Sequence, residues 1–225
     1  MSHSQIVLHN YFRSSSAYRV RIALHLKGLP FEYASVHLSR NGGEQFLPAF
    51  SERNPQHLVP VLTDGDGDGD GDFDISQSLA MIEYLDETYR DVPLLPVMPR
   101  ERARVRQLSL AMACDIHPLN NLRVLKYLSG PLAVDDSAKA AWINHWHVCG
   151  LTALELDLAR NPHRGRFCVG DTPTMADCCL VPQLFAAGRF GLDLTAFPML
   201  RAIDAACQEL PAFALAHPAR QPDSE

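Results

Sequence analysis

No apolar run in this chain approaches the roughly 20 residues that a membrane-spanning helix needs, so a helical membrane protein is not expected. The polar start, Met1 to Gln5, has neither the charged nor the apolar region of a secretion signal, and the cytoplasm is the expected compartment. Sustained basic stretches are missing too. The formal net charge is −6, which argues against a nucleic-acid partner while leaving single arginines free to build an anion pocket. The 6 cysteines show no C-x-x-C spacing and all lie in the second half, mostly among apolar neighbours, so reduced, buried thiols are expected. Adjacent Cys178 and Cys179 would point in different directions on a helix and no second pair completes a site, so no metal is expected.

What is present divides into two unlike halves. The apolar run Ile6 to Leu8 reads as a strand, and the segment after Ser14 to Ser16 reads as a helix that stops at Gly28. A second strand starts at Phe31, giving β-α-β. Val59 to Leu62 and Phe73 to Ile75 read as a further strand pair, and a helix begins near Ser78, with Leu79, Ile82 and Leu85 at helical spacing, and ends around Tyr89. Pro93, Pro96 and Pro99 then mark a connection. Beyond it only helical patterns appear: Arg102 to Ile116, Leu119 to Leu128, Ser137 to Arg160, Thr174 to Phe190 and Pro198 to Glu209. The expected division is an α+β domain over residues 1–90 and an all-helical domain over residues 100–225.

The loop Asp64 to Asp72, DGDGDGDGD, alternates acids as a calcium loop does. With Asp64, Asp66 and Asp68 as the first three ligands, however, Ile75 would fall where the bidentate glutamate is required. The loop reads instead as a solvated insertion in a hairpin.

The most informative stretch is Tyr11 to Gly28, YFRSSSAYRVRIALHLKG, which sets three hydroxyls and an arginine where a strand gives way to a helix. Serines there cap free N–H groups, and the helix dipole adds partial positive charge, so an anion is favoured by both. The residues alone leave capping and anion binding both open.

This stretch, together with NPQHLVPVL, ISQSLAMIEYLDE, DIHPLNNLRVLKYL and GDTPTMADCCLVPQ in that order, resembles the zeta class of the glutathione transferases over nearly the whole chain. The resemblance implies an α+β, thioredoxin-like N-terminal domain with a mixed four-stranded sheet, an all-α C-terminal domain, glutathione as cofactor and a homodimer. It implies a cis bond before Pro60 that turns the backbone of Val59 toward a peptide ligand. It places Gln77 and Ser78 at the γ-glutamyl end of that ligand, and Gln45 within its reach from the loop ahead of the second helix, although a surface glutamine fits the residues equally well. Thr174 and Asp177 match a structural capping motif of the second domain.

For chemistry, the resemblance makes Ser14 a hydrogen-bond donor to the glutathione sulfur, with Ser15 as a second donor and Arg13 beside them. A free thiol with pKa near 8.5 is only about 3% thiolate at neutral pH, and lowering that pKa by two units takes about 2.7 kcal/mol. One charge-assisted hydrogen bond of roughly 1.5 to 3 kcal/mol and about 0.3 to 1 from a helix N-terminus suffice. Ser16, which the resemblance also places among the glutathione-binding residues, stands where the class commonly has cysteine, so sulfur chemistry falls to the cofactor. Tyr11, just before the turn, reads as a packing residue. Isomerising a maleyl to a fumaryl group needs a temporary single bond, which thiolate addition provides.

Arg13, Arg123 and Arg189 are the candidates for binding substrate carboxylates, since guanidinium engages them in bidentate fashion. Any one of them could equally be a solvated surface charge. His117 and Asn121, spaced by one helical turn in DIHPLNNLRV and so able to face one cleft, are further candidates near glutathione, with a structural histidine as the competing reading. The activity implied is maleylacetoacetate isomerase. Maleylpyruvate isomerase, a conjugating or dehalogenating transferase, and a non-catalytic glutathione-binding protein are the alternatives. A small dicarboxylate substrate is the expected partner.

Overall fold

The computed structural model describes residues 5–65, 72–162 and 164–225. Two compact units result: residues up to Leu94 together with Pro211–Glu225, and Leu95–Leu210.

In the first unit, β1 (Gln5–Asn10) leads into α1 (Ser15–Leu26) and then β2 (Glu32–Ser35), which pairs parallel to β1. A four-residue helix, α2 (Pro48–Ser51), precedes the hairpin of β3 (Val61–Gly65) and β4 (Asp72–Ser76), and α3 (Ser78–Thr88) follows. The mixed sheet has the order β2-β1-β3-β4, with β3 antiparallel to both neighbours. Six central residues of the aspartate-glycine loop, 66–71, lie outside the described residues.

Period-two alternation along β1 explains the two faces. Ile6 and Leu8 point into one core with Val20, Leu24, Leu62, Met81 and Leu85. On the other face Tyr11, Phe12, Val36, Phe50, Val59 and Val61 form a second cluster. Each such aliphatic side chain contributes roughly 1.5 to 3 kcal/mol when fully buried. Ala17 through Leu24 are buried without a break, because α1 has the sheet on one side and both α3 and α9 (Pro211–Ala216) on others.

That last helix departs from the sequence reading, which ran the second domain to residue 225. A six-residue helix carries too little periodicity to be assigned to either half. Its place is fixed by tertiary contacts, chiefly the buried Arg21 guanidinium donating to Ala216 O at 3.1 Å. The proline-rich connection is pinned at its start: Lys27 Nζ donates to Val92 O at 2.6 Å and pairs with Asp86, which also accepts from Leu94 N.

The second unit is helical: α4 (Pro99–Leu110), α5 (Leu122–Ser129), α6 (Asp136–Ala159), α7 (Met175–Arg189) and α8 (Pro198–Gln208). Two expected helices change at their junction. After Leu110 the spiral widens into a π-helical stretch, Ala111–Ile116, then tightens to a 3-10 turn, His117–Asn120. Pro118 is the cause, since it lacks an N–H and its ring collides with the carbonyl four residues back. Gly150, in the middle of α6, lets the π-helical stretch approach: a Cβ there would stand 2.3 Å from Ile116 Cδ1.

Helix α7 is buried from Met175 through Leu184 and starts from a complete capping box, in which Thr174 Oγ1 accepts from Ala176 N–H and Asp177 Oδ2 accepts from Thr174 N–H at 2.8 Å. All six cysteines are free thiols. Four are buried, but Cys114 and Cys149 are exposed, contrary to the expectation of buried thiols, because helical periodicity puts them on outward faces. No described helix is long and apolar enough to cross a membrane.

Candidate functional site

The first unit gathers most of the candidates around the N-terminus of α1. Ser14 is its N-cap, with extended backbone, and its Oγ accepts from Ala17 N–H at 3.2 Å. Ser16 Oγ donates its one proton to Val59 O at 3.2 Å, so in the 3.1 Å contact between Ser14 and Ser16 the donor is Ser14. The Ser14 proton is thus committed to nothing stronger than a neighbouring hydroxyl and can turn to an incoming anion. Ser15 is half-buried on the first turn. Arg13 is exposed; it donates to Tyr11 OH at 3.1 Å and lies over the Phe12 ring at 4.9 Å. Tyr11 is therefore both a buried packing residue and an anchor for Arg13.

The Val59–Pro60 bond is cis. Ser16 joins that loop to α1, so the serine in the usual cysteine position ties the helix to the cis-proline loop. Gln45 is not on the surface. It is 5% exposed, and its Oε1 has no hydrogen-bond partner among the described residues. Its backbone O lies 3.1 Å from His57 Nδ1. Gly43, at φ 111°, makes room for it: a Cβ there would meet the Gln45 carboxamide nitrogen at 2.7 Å. A buried amide oxygen lacking a protein partner calls for a ligand or water.

Gln77 stands at the N-cap position of α3 without a side-chain cap bond; it is exposed, sits at φ 72°, and donates from Nε2 to Gln56 Oε1 at 3.2 Å. Ser78 is the first helical residue, buried, and its Oγ accepts from Arg19 NH1 at 3.2 Å. Sequence reasoning missed Arg19. Its signal was an arginine inside a helical run whose neighbours are apolar, a place a charge occupies only with partners. A buried guanidinium at the N-terminus of α3 adds to the positive potential of the helix end and suits a carboxylate there.

In the second unit, Asn121 does not share a helix with His117. Its side chain accepts from Arg123 N–H at 3.1 Å and so caps α5, which places it outside the helix interior where periodicity had put it. His117 lies in the 3-10 turn and is half-buried. Arg123 is exposed on the first turn of α5, and Arg189 is exposed at the end of α7 with its guanidinium 4.4 Å from the Phe190 ring centroid. Near Arg189 lies His147, another residue the sequence reading missed. It is buried on α6, 3.2 Å from Asn120 Nδ2, with its ring tilted by 40° to that of Phe190 at 5.9 Å between centroids. Burial holds its pKa down, and Arg189 adds to that, so it stays neutral beside the guanidinium. Among the described residues no three His, Cys, Asp or Glu side chains converge on a metal site.

A thioredoxin-like sheet whose cis-proline loop faces a serine-capped helix, followed by an all-helical unit, defines a glutathione transferase. The glutathione S-transferase N-terminal domain profile matches residues 13–88. The chain is 48% identical over 219 residues to a probable maleylacetoacetate isomerase of Vibrio cholerae, covering 97% of this chain and 98% of that one. A solved holo structure of maleylpyruvate isomerase, described as a bacterial zeta-class glutathione S-transferase, superposes with a TM-score of 0.90 at 48% identity, covering 97% and 100% of the two chains. A maleylacetoacetate isomerase from Methylobacterium extorquens AM1, solved with bound malonate and glutathione, also gives 0.90, at 40% identity and 97% and 99% coverage. The chain belongs to the zeta class of the glutathione transferases.

Proposed function

We propose that this protein is a glutathione-dependent cis–trans isomerase that converts maleylacetoacetate to fumarylacetoacetate. The observation that carries the reading is the Ser14 hydroxyl, at the N-terminus of α1, linked through Ser16 to the carbonyl of Val59 next to the cis-proline. Glutathione, when bound, supplies a thiolate that adds reversibly to the cis double bond and leaves after rotation. Ser14 turns its proton from Ser16 to the sulfur, and Ser15 is the second donor on the same turn. Gln45 supplies its partnerless amide oxygen, Val59 its backbone, and Gln77 and Ser78 the end of α3 that holds the γ-glutamyl carboxylate beside Arg19. Ser16 holds the two sides of the site in register. Arg13, Arg123 and Arg189 take the carboxylates of a small dicarboxylate substrate and stabilise negative charge as it develops. His117 and Asn121 serve glutathione binding, Asn121 from its capping position.

Maleylpyruvate presents the same cis diacid to the same groups, and the similarity at 48% to a maleylpyruvate isomerase equals that to the Vibrio relative. A homodimer in the cytoplasm completes the proposal; exposed Phe46 and Leu47 on the first unit supply apolar surface for such an assembly. Purified protein with glutathione is to be given each maleyl acid in turn while fumaryl product is followed, with sedimentation on the same sample. Turnover of maleylacetoacetate is expected, its ratio to maleylpyruvate turnover names the preferred substrate, and tight glutathione binding without turnover of either acid sinks the reading.

A further inference from the structure

The turn that carries Ser14 is held from behind by the last residues of the chain. Asp223, 7% exposed, accepts from Phe12 N–H at 3.2 Å and Ser35 Oγ at 3.1 Å on Oδ2, and from Tyr33 OH at 2.5 Å on Oδ1. Arg21, fully buried on α1, donates to Phe12 O at 2.9 Å, Tyr11 O at 3.4 Å, Asn10 Oδ1 at 2.9 Å and Ala216 O at 3.1 Å. Both backbone polar groups of Phe12 are thus gripped, the N–H by a carboxylate and the C=O by a guanidinium. Ser14 N–H closes the turn onto Tyr11 O at 3.0 Å.

The tail is itself anchored. Gln221 Nε2 donates to Leu215 O and His217 O at 2.9 Å each, and Glu225 pairs with Arg40 at 2.7 Å and His37 at 3.3 Å. We propose that Asp223 is a positioning residue for the thiolate site: it fixes Phe12, and through Phe12 the distance and direction of the Ser14 hydroxyl. The proposal rests on the reading that the glutathione sulfur sits at Ser14.

The charged and titratable groups around Asp223 are Arg21 from α1, Tyr33 from β2 and Arg40, while Glu225 of the same tail faces Arg40, His37 and Arg13. Burial pulls Arg21 down to about 10, so it remains a cation at neutral pH. Burial, then the bond to Asp223, pushes the Tyr33 phenol up, so it remains a donor. Position and charge therefore predict opposite signs. Removing a carboxylate near the site would by Coulomb's law alone favour the thiolate and lower its pKa. Loosening the turn weakens the Ser14 hydrogen bond and raises it.

The deciding measurement is the pKa of bound glutathione, read from the ultraviolet absorbance of its thiolate in the binary complex across a pH series, alongside kcat and the glutathione KM. For Asp223→Ala the pKa is expected to rise by about one unit, leaving about tenfold less thiolate at low pH, with KM changed less than about threefold. Asp223→Asn keeps an acceptor for Phe12 N–H and is expected to restore most of the wild-type value. If Asp223→Ala does not fold, Tyr33→Phe decides, since it frees the carboxylate from one anchor; a smaller rise is expected. A pKa that stays fixed or falls in the folded variants overturns the positioning role while the wild-type band leaves the isomerase reading standing. No thiolate band in the wild type overturns both.

Discussion

A hydroxyl can cap a helix and serve a thiolate with the same atom only if its proton and its lone pairs face different ways. Ser14 meets that condition: its oxygen takes Ala17 N–H while its proton rests on Ser16. Ser14→Ala removes both. The lost cap costs about 1 kcal/mol of stability. The lost charge-assisted bond, roughly 1.5 to 3 kcal/mol, corresponds to about 10- to 150-fold in rate. We expect kcat to fall within that range while glutathione affinity, measured by calorimetry, changes by less than about threefold; an unchanged kcat removes Ser14 from the mechanism. The residues of this turn were legible in sequence because a serine cluster between strand and helix is a local signal. Gln45 was not. Its burial is produced by Gly43, His57 and the chain around them, none of which constrains a glutamine until the loop is closed.

At the scale of elements, local rules located the strands and most helices, and failed where two rules met. Apolar periodicity runs through residues 102–116 and 119–128, yet Pro118 and the Asn121 cap override it and create the π-helical stretch and the tight turn. The capping box of α7 is the opposite case, a sequence motif whose geometry came out complete. Asp177 is fully buried and accepts from Thr174 N–H, Thr174 Oγ1 and Cys168 N–H at 2.8, 2.9 and 2.9 Å. Asp177→Ala leaves those donors without a partner in a dry site. A loss of about 3 kcal/mol is expected in urea unfolding; a loss below about 1 kcal/mol would show that the helix start is held by something else.

At the scale of the molecule, four histidines among the described residues, His9, His25, His147 and His217, have their pKa held down chiefly by burial, each with an arginine adding to the effect. A base depressed in the folded chain contributes stability that is complete above its unfolded pKa, 6.5 here, and is lost as the pH falls through the folded value. The thermal midpoint is therefore expected to drop between about pH 7.5 and about pH 5.5, and His147→Gln to flatten part of that slope. A midpoint that rises on acidification in this range contradicts the assignment. Whole-molecule organisation is also where the chain order misled: residues 211–225 follow the helical half in sequence but fold with the first unit.

The sequence by itself determined the elements whose cause is local: the alternating strands, the serine-capped helix and the Thr174–Asp177 box. Tertiary structure decided what depends on partners distant in the chain. It buried Gln45 and Arg19, set His147 beside Arg189, and brought Asp223 across 211 residues to Phe12 N–H. The physical reason is the range of the forces involved. Capping and periodicity act within one helical turn, whereas a buried carboxylate or guanidinium is tolerated only where folding has already assembled enough donors and acceptors to replace water.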